Sequence, residues 1–337
     1  MTTMDFARHG FETPRHRTSW IEAGPANGPL LIFIHGWPEL GLVWRYQIEH
    51  FAAQGWRCVA PDMRGYGGSS VPTSTAAYAV RELVRDMVEL HDALGGRPAI
   101  WVGHDWGSAI AWAMASHHAD RCRGVVSLCV PYFARGLALP TLVPLVDRVL
   151  YPAEFYPVGQ WDYWLFYREH FRRASQDLEA DVEATISTLY RTGPAPVDGQ
   201  LAFTAGVRAN AGWFGHARRA PRMPRHEALL NHADFDALVA AFEATGFAGA
   251  NAWYMNDAAN LAYAAEAPDF GELRLPVLFL HAAHDAVCNT VHGRLAEPMR
   301  EDCVDLVEVT IHAGHESMLE RPADVNMAMA EWLAAKR

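Results

Sequence analysis

The sequence predicts an α/β protein: a mostly parallel sheet flanked by helices, with a helical segment inserted between two core strands. Three observations carry this expectation. Short strand-like runs at residues 30–35, 56–60, 99–103, 124–130, 275–281 and 304–311 alternate with helical stretches, as in sheets covered by helices on both faces. That rhythm lapses between residues 135 and about 260, where prolines and aromatics crowd together. Finally, Ala99 to Ala115 reads as strand, tight turn and helix, with the turn spelled Gly103-His104-Asp105-Trp106-Gly107.

Taken in order, Leu30 to His35 is a continuous apolar run that stops at Gly36-Trp37-Pro38-Glu39. An amphipathic helix follows through Trp44 to Phe51, then a strand at Trp56 to Ala60 and a glycine-rich turn from Pro61 to Ser69. Residues 78–94 hold apolar side chains at 80, 83, 84, 87, 88, 90 and 94, close to helical spacing. The strand–turn–helix around Asp105 and the strand Gly124 to Val130 complete the first half. The inserted segment carries helical stretches at 175–190 and 234–245. Parallel-sheet strands resume at Leu275 to His281 and at Val304 to Ile311, and a helix from Ala323 to Lys336 closes the chain.

Composition narrows the function. Half of the 337 residues are hydrophobic and a fifth are charged, the balance of a globular protein with a large core. A net charge of -11 argues against nucleic acid as a partner, and the basic run His216 to Arg222 reads as a solvated loop. Met1 to Trp20 has no apolar core for a signal peptide, and Leu137 to Tyr151 is too short and interrupted to cross a bilayer. Five dispersed cysteines without Cys-x-x-Cys spacing fit reduced thiols in the cytoplasm. The 17 histidines show no metal-ligand spacing. No metal and no cofactor are expected.

Gly-x-nucleophile-x-Gly is a turn that drives its central side chain out of the sheet's carboxyl edge. Serine is common at its centre; here it is Asp105, whose carboxylate can attack carbon and form an ester. An N-cap aspartate is the plainer alternative. An ester needs a base to activate water and a second carboxylate to orient that base. In sheets of this kind nucleophile, acid and histidine follow in chain order on loops after successive strands. Asp285 follows the strand at 276–281, and His315 follows the strand at 304–311. His312 is a rival base, and His284 reads as structural. Backbone N–H groups of Trp37 and Trp106 are the positions this architecture supplies for an oxyanion.

Taken together, His35-Gly36-Trp37-Pro38-Glu39, Asp62-Met63-Arg64-Gly65-Tyr66-Gly67, Gly103-His104-Asp105-Trp106-Gly107 and Gly314-His315 with Glu320-Arg321-Pro322 resemble the epoxide hydrolases of the α/β-hydrolase fold. The resemblance implies a core at residues 1–134 and 261–337, a helical cap at 135–260, and conversion of a small apolar epoxide to a vicinal diol through an aspartyl ester. It also implies two cap tyrosines that hold the epoxide oxygen. Tyr163 matches the first, with Tyr167 and Tyr156 as alternatives, and Tyr254 matches the second. Two departures stand out. Glu316 occupies a position after the histidine that is often aromatic, and Glu169-His170-Phe171 replaces the usual Pro-Gly after the first aromatic cluster. The competing readings are a haloalkane or haloacid dehalogenase with the same machinery, and a non-catalytic receptor for a small apolar ligand. Neither nucleic acid nor a membrane is an expected partner; the assembly state is open, a homodimer being one option.

Overall fold

The computed structural model describes residues 6–193, 195 and 197–336. One eight-stranded sheet is built from β1 (Ala7–Glu12), β2 (Arg17–Ala23), β3 (Leu30–Ile34), β4 (Arg57–Asp62), β5 (Ala99–His104), β6 (Cys122–Leu128), β7 (Leu273–Ala282) and β8 (Cys303–Ile311). The spatial order is β1-β2-β4-β3-β5-β6-β7-β8. The β1–β2 and β2–β4 pairs are antiparallel and all the others parallel.

The six predicted strands are β3 to β8. The central ones were legible because a strand covered by helices on both faces is apolar throughout, and every residue of β3 and β5 is buried; β8, at the edge, is buried only at its two ends. By contrast, β1 and β2 went unpredicted. Five of the six β1 residues are exposed, and in β2 only Thr18, Trp20 and Ile21 are buried. Neither offers a periodic signal. β6 ends at Leu128 rather than at Val130, because Cys129 turns into the left-handed region at φ 67°.

The helices of eight or more residues are α1 (Arg45–Ala52), α2 (Val80–Ala93), α3 (Trp106–His117), α4 (Asp162–Glu179), α5 (Val182–Leu189), α6 (His232–Thr245), α7 (Asp257–Ala264) and α8 (Pro322–Ala335). The helical stretch expected at 175–190 is the end of α4 and the whole of α5. Asp181 breaks it, its side chain capping α5 by accepting from the Ala184 N–H at 3.2 Å. Among the described residues there is no strand between β6 and β7, as the loss of alternation predicted. No helix among them is long and apolar enough to cross a membrane.

A buried ion pair ties the turn after β4 to α2. Asp86 is fully buried and accepts from Arg64 Nε and Nη2 at 2.8 and 2.7 Å, with Arg15 from the β1–β2 connection also paired to it. Removing one partner of such a pair strands a charge in the interior. Asp86→Ala is therefore expected to lower stability by about 3–5 kcal/mol in urea unfolding. A loss under about 1 kcal/mol would show that Arg64 finds water instead.

Candidate active site

The site assembles at the carboxyl ends of the central strands. β5 runs into α3 through Asp105, whose backbone is held at φ 50° and ψ −124°. A non-glycine residue persists there only where its surroundings force it, and here the fit is tight on both sides. A Cβ on Gly107 would lie 2.1 Å from the Ile34 carbonyl oxygen, and one on Gly36 would lie 2.4 Å from Asp105 Cβ. Glycine at both positions lets α3 pack on β3 and lets the loop after β3 pass across the aspartate.

That loop supplies a donor. The Trp37 N–H donates to Asp105 Oδ1 at 2.8 Å. The Trp37 indole in turn donates to Asn251 Oδ1 at 3.0 Å, fixing the loop against the segment between β6 and β7. Trp106 is the first residue of α3, so its N–H has no acceptor within the helix. Asp105 Oδ2 faces His315 Nε2 at 3.8 Å.

Behind His315 stands Asp285, accepting at Oδ2 from Nδ1 at 2.5 Å. Its other oxygen accepts from the Val287 and Cys288 N–H groups, both at 2.9 Å. Burial works against the Asp285 charge, but the charge and hydrogen bond of His315 and these two N–H donors hold its pKa below the usual range. Burial likewise opposes an imidazolium at His315. The charge and hydrogen bond of Asp285 overcome it and hold His315 well above its usual value. The loop is braced by Glu320, which accepts from the Gly314 N–H at 2.9 Å.

Across from Asp105, the ring of Tyr254 packs on Trp106 at 5.2 Å and on Tyr163 at 5.4 Å. Tyr163, on α4, lines a cavity of about 300 Å³ with Asp105, Trp106, Phe133, Leu137 and Trp164. Burial first raises both tyrosine pKa values well above the usual one, and the Asp105 carboxylate adds to the shift in each. Both hydroxyls therefore stay protonated and able to donate. A larger pocket of about 460 Å³, beyond Phe133 and Leu137, holds none of Asp105, Asp285 or His315.

Asp105, Asp285, His315, Trp37, Trp106, Tyr163 and Tyr254 thus come together. The alternatives do not. His312 is exposed beside His284, with ring centroids 6.2 Å apart. Tyr156 packs on Tyr151 at 5.8 Å, and Tyr167 packs on Tyr254 at 5.0 Å; of the candidate tyrosines only Tyr163 lines the cavity, and Tyr254 is joined to it through its ring contacts with Tyr163 and Trp106.

Three polar residues escaped the sequence reading as a group: Glu39, His104 and Glu316, all buried. One donor atom from each lies within 4.8 Å of the others. His104 and Glu316 adjoin Asp105 and His315, while Glu39 lies two residues after Trp37; side chains alternate along an extended chain, which bears on the first two. Facing away from the cavity is the fate of residues next to those facing it, and that was the available signal.

Comparison with known proteins agrees with this geometry. Residues 29–322 match the family described as alpha/beta hydrolase fold. The chain is 34% identical to epoxide hydrolase A of Mycobacterium tuberculosis over 319 residues, covering 93% of this chain and 92% of that protein. It is 30% identical to the pig (Sus scrofa) bifunctional epoxide hydrolase 2, over 96% of this chain but only 55% of the longer protein. Among solved structures, epoxide hydrolase A from Mycobacterium thermoresistibile superposes with a TM-score of 0.79 at 29% identity, covering 98% of each chain. An epoxide hydrolase from an endophytic Streptomyces gives 0.78 at 29% identity, covering 98% of this chain and 96% of that one. A strained aspartate between β5 and α3, backed by a histidine–aspartate pair and sharing its cavity with Tyr163, on which Tyr254 packs, sits in a chain that belongs to the α/β-hydrolase fold and, within it, to the epoxide hydrolase family.

Proposed function

We propose that this protein hydrolyses an epoxide to a vicinal diol, with Asp105 as nucleophile, His315 as base, Asp285 as its orienting acid and Tyr163 and Tyr254 as proton donors. The single observation that carries the reading is the approach of His315 Nε2 to 3.8 Å from Asp105 Oδ2, the aspartate itself lining a cavity together with Tyr163. Residues 135–260 act as a cap over a core of residues 1–134 and 261–337.

Asp105 Oδ2 attacks an epoxide carbon, the carbon–oxygen bond of the ring breaks, and a tyrosine proton passes to the released oxygen. A hydroxyalkyl ester on Asp105 results. Esterification removes the negative charge that faced His315 at 3.8 Å, which lowers the histidine's proton affinity as it is needed as a base. His315 then takes a proton from water, and the hydroxide adds to the Asp105 carboxyl carbon. The developing oxyanion at Oδ1 meets the Trp37 N–H, already 2.8 Å away, and the Trp106 N–H. The tetrahedral intermediate collapses, the departing alkoxide takes the proton from His315 and leaves as the diol with the Oδ2 oxygen, and the second proton of the water restores the tyrosine, so that Asp105 is again a carboxylate.

A single turnover in heavy-oxygen water tests this. Label is expected on Asp105 by peptide mass spectrometry, and label directly in the first-turnover diol would exclude the ester. Opening the ring needs a proton and halide departure does not, so Tyr163→Phe or Tyr254→Phe is expected to slow ester formation by about 10- to 100-fold. Stopped-flow tryptophan fluorescence would follow that step. Chloride release from a haloalkane with no diol from styrene oxide would favour the dehalogenase reading. The apolar lining, Val130, Phe133, Leu137 and Leu142 among it, favours an apolar epoxide. All five cysteines are free, which supports a reducing, cytoplasmic setting.

A further inference from the structure

We propose that Glu316 is a positioning residue for the base: a neutral carboxylic acid that donates its proton to the Glu39 carboxylate and so locks the His104 bridge holding His315 from behind. This inference rests on the proposed role of His315.

The protons can be assigned from the partners. His104 Nε2 lies 2.8 Å from the main-chain carbonyl oxygen of His315, which can only accept. His104 Nδ1 lies 2.7 Å from Glu39 Oε1, and Glu39 Oε2 accepts from the Gly36 N–H at 2.6 Å. Burial opposes a charge on His104, but its neighbours, Cys129 first among them, hold its pKa above the usual value; an imidazolium there faces an ionised Glu39 in a close charge contact that is not aligned as a hydrogen bond. Glu316 is then left beside a carboxylate, 6% exposed, its Oε2 receiving no hydrogen bond from the described residues. A second anion there would lack any donor, whereas a neutral acid supplies the proton that the pair needs.

Other ionisable groups support this arrangement. Burial raises Glu316 well above the usual carboxyl range, with the Glu39 charge reinforcing it and His104 and His315 opposing. Burial pushes Glu39 up to about 7, the Glu316 hydrogen bond drawing it back. Asp105, Tyr66 and Tyr190 also bear electrostatically on the cluster. The bridge reaches both halves of the site. Glu39 holds Gly36, one residue before the Trp37 N–H donor, and His104 holds His315 one residue before Glu316.

An amide at 316 keeps a donor toward Glu39, and an apolar side chain of similar size does not. Glu316→Gln is therefore expected to keep ester formation and ester breakdown within about twofold of the parent, while Glu316→Leu slows breakdown by about tenfold or more with ester formation little changed. The pH dependence of breakdown is expected to be retained in Glu316→Gln and displaced in Glu316→Leu. Infrared spectroscopy supplies a readout independent of activity: the carbonyl stretch of a buried protonated carboxylic acid, present in the parent and absent from Glu316→Gln. If Glu316→Leu leaves both rate constants and the pH profile unchanged, if Glu316→Gln impairs breakdown as severely as leucine, or if the parent lacks that infrared band, the proposal falls. Stoichiometric metal in the purified protein, bound at Glu39, His104 and Glu316, would overturn it as well. Absence of any ester in His315→Gln would sink the reading of the base instead, and the infrared band would still report on the acid pair.

Discussion

Asp105→Ala is expected to reduce diol formation by about 10⁴-fold or more, the scale seen when a covalent nucleophile is deleted. Among the described residues no other carboxylate lines the cavity. Asp285 is 3% exposed, with its oxygens committed to His315 and two N–H groups. Glu39 and Glu316 are buried with the His104 bridge, away from the cavity lining. The variant should bind substrate and leave no covalent adduct by mass spectrometry. Its melting temperature serves as the control, because position 105 sits at φ 50° whichever residue occupies it. Residual turnover within about tenfold of the parent would mean that water attacks the epoxide directly and the ester mechanism is wrong.

His315→Gln separates the two chemical steps. The amide can still donate to Asp285 Oδ2, so the loop keeps its main contact, but it cannot accept a proton from water. Ring opening draws on the Asp105 carboxyl group and the tyrosines and not on the histidine, so it should proceed. Turnover is expected to fall by about 10³-fold or more while the ester accumulates, seen as a mass increase equal to that of one substrate molecule. Failure of the adduct to accumulate, with the fold intact, would remove His315 from the base role. In the parent enzyme the same assignment sets a pH dependence. Asp285 holds the imidazolium above its usual pKa, and only the neutral ring accepts a proton. Ester breakdown should therefore quicken as pH rises through the value that His315 keeps in the ester, which lies below that of the free enzyme because the Asp105 charge is gone. Asp285→Asn removes the stabilising charge and should move the rise to lower pH while slowing the step.

Much of this was legible before any coordinates. The apolar runs that became β3 and β5 are readable because two-sided burial leaves no room for polar alternation, whereas the edge strand β8, buried only at Cys303 and Ile311, is readable from its valines, leucine and isoleucine. The elbow is readable because two close backbone approaches exclude any Cβ at Gly103 and Gly107. Asp105, Asp285 and His315 were identified from their places after successive strands, and that needs only chain order. β1 and β2 were missed for the converse reason: their pairing is decided by backbone hydrogen bonds to a distant partner, which leave little trace in side-chain pattern.

By itself, the amino-acid order determined six of the sheet's eight strands, the turn that bears Asp105 and the places of Asp285 and His315 after later strands, because these depend on local sterics, apolar runs and chain order. Tertiary packing alone decided which of three tyrosines faces Asp105, and that Glu316 turns inward to meet Glu39 and His104 rather than lining the cavity. Those choices join residues up to 277 positions apart. They are settled by which polar atoms must find partners once water is excluded, a condition that no short stretch of chain records.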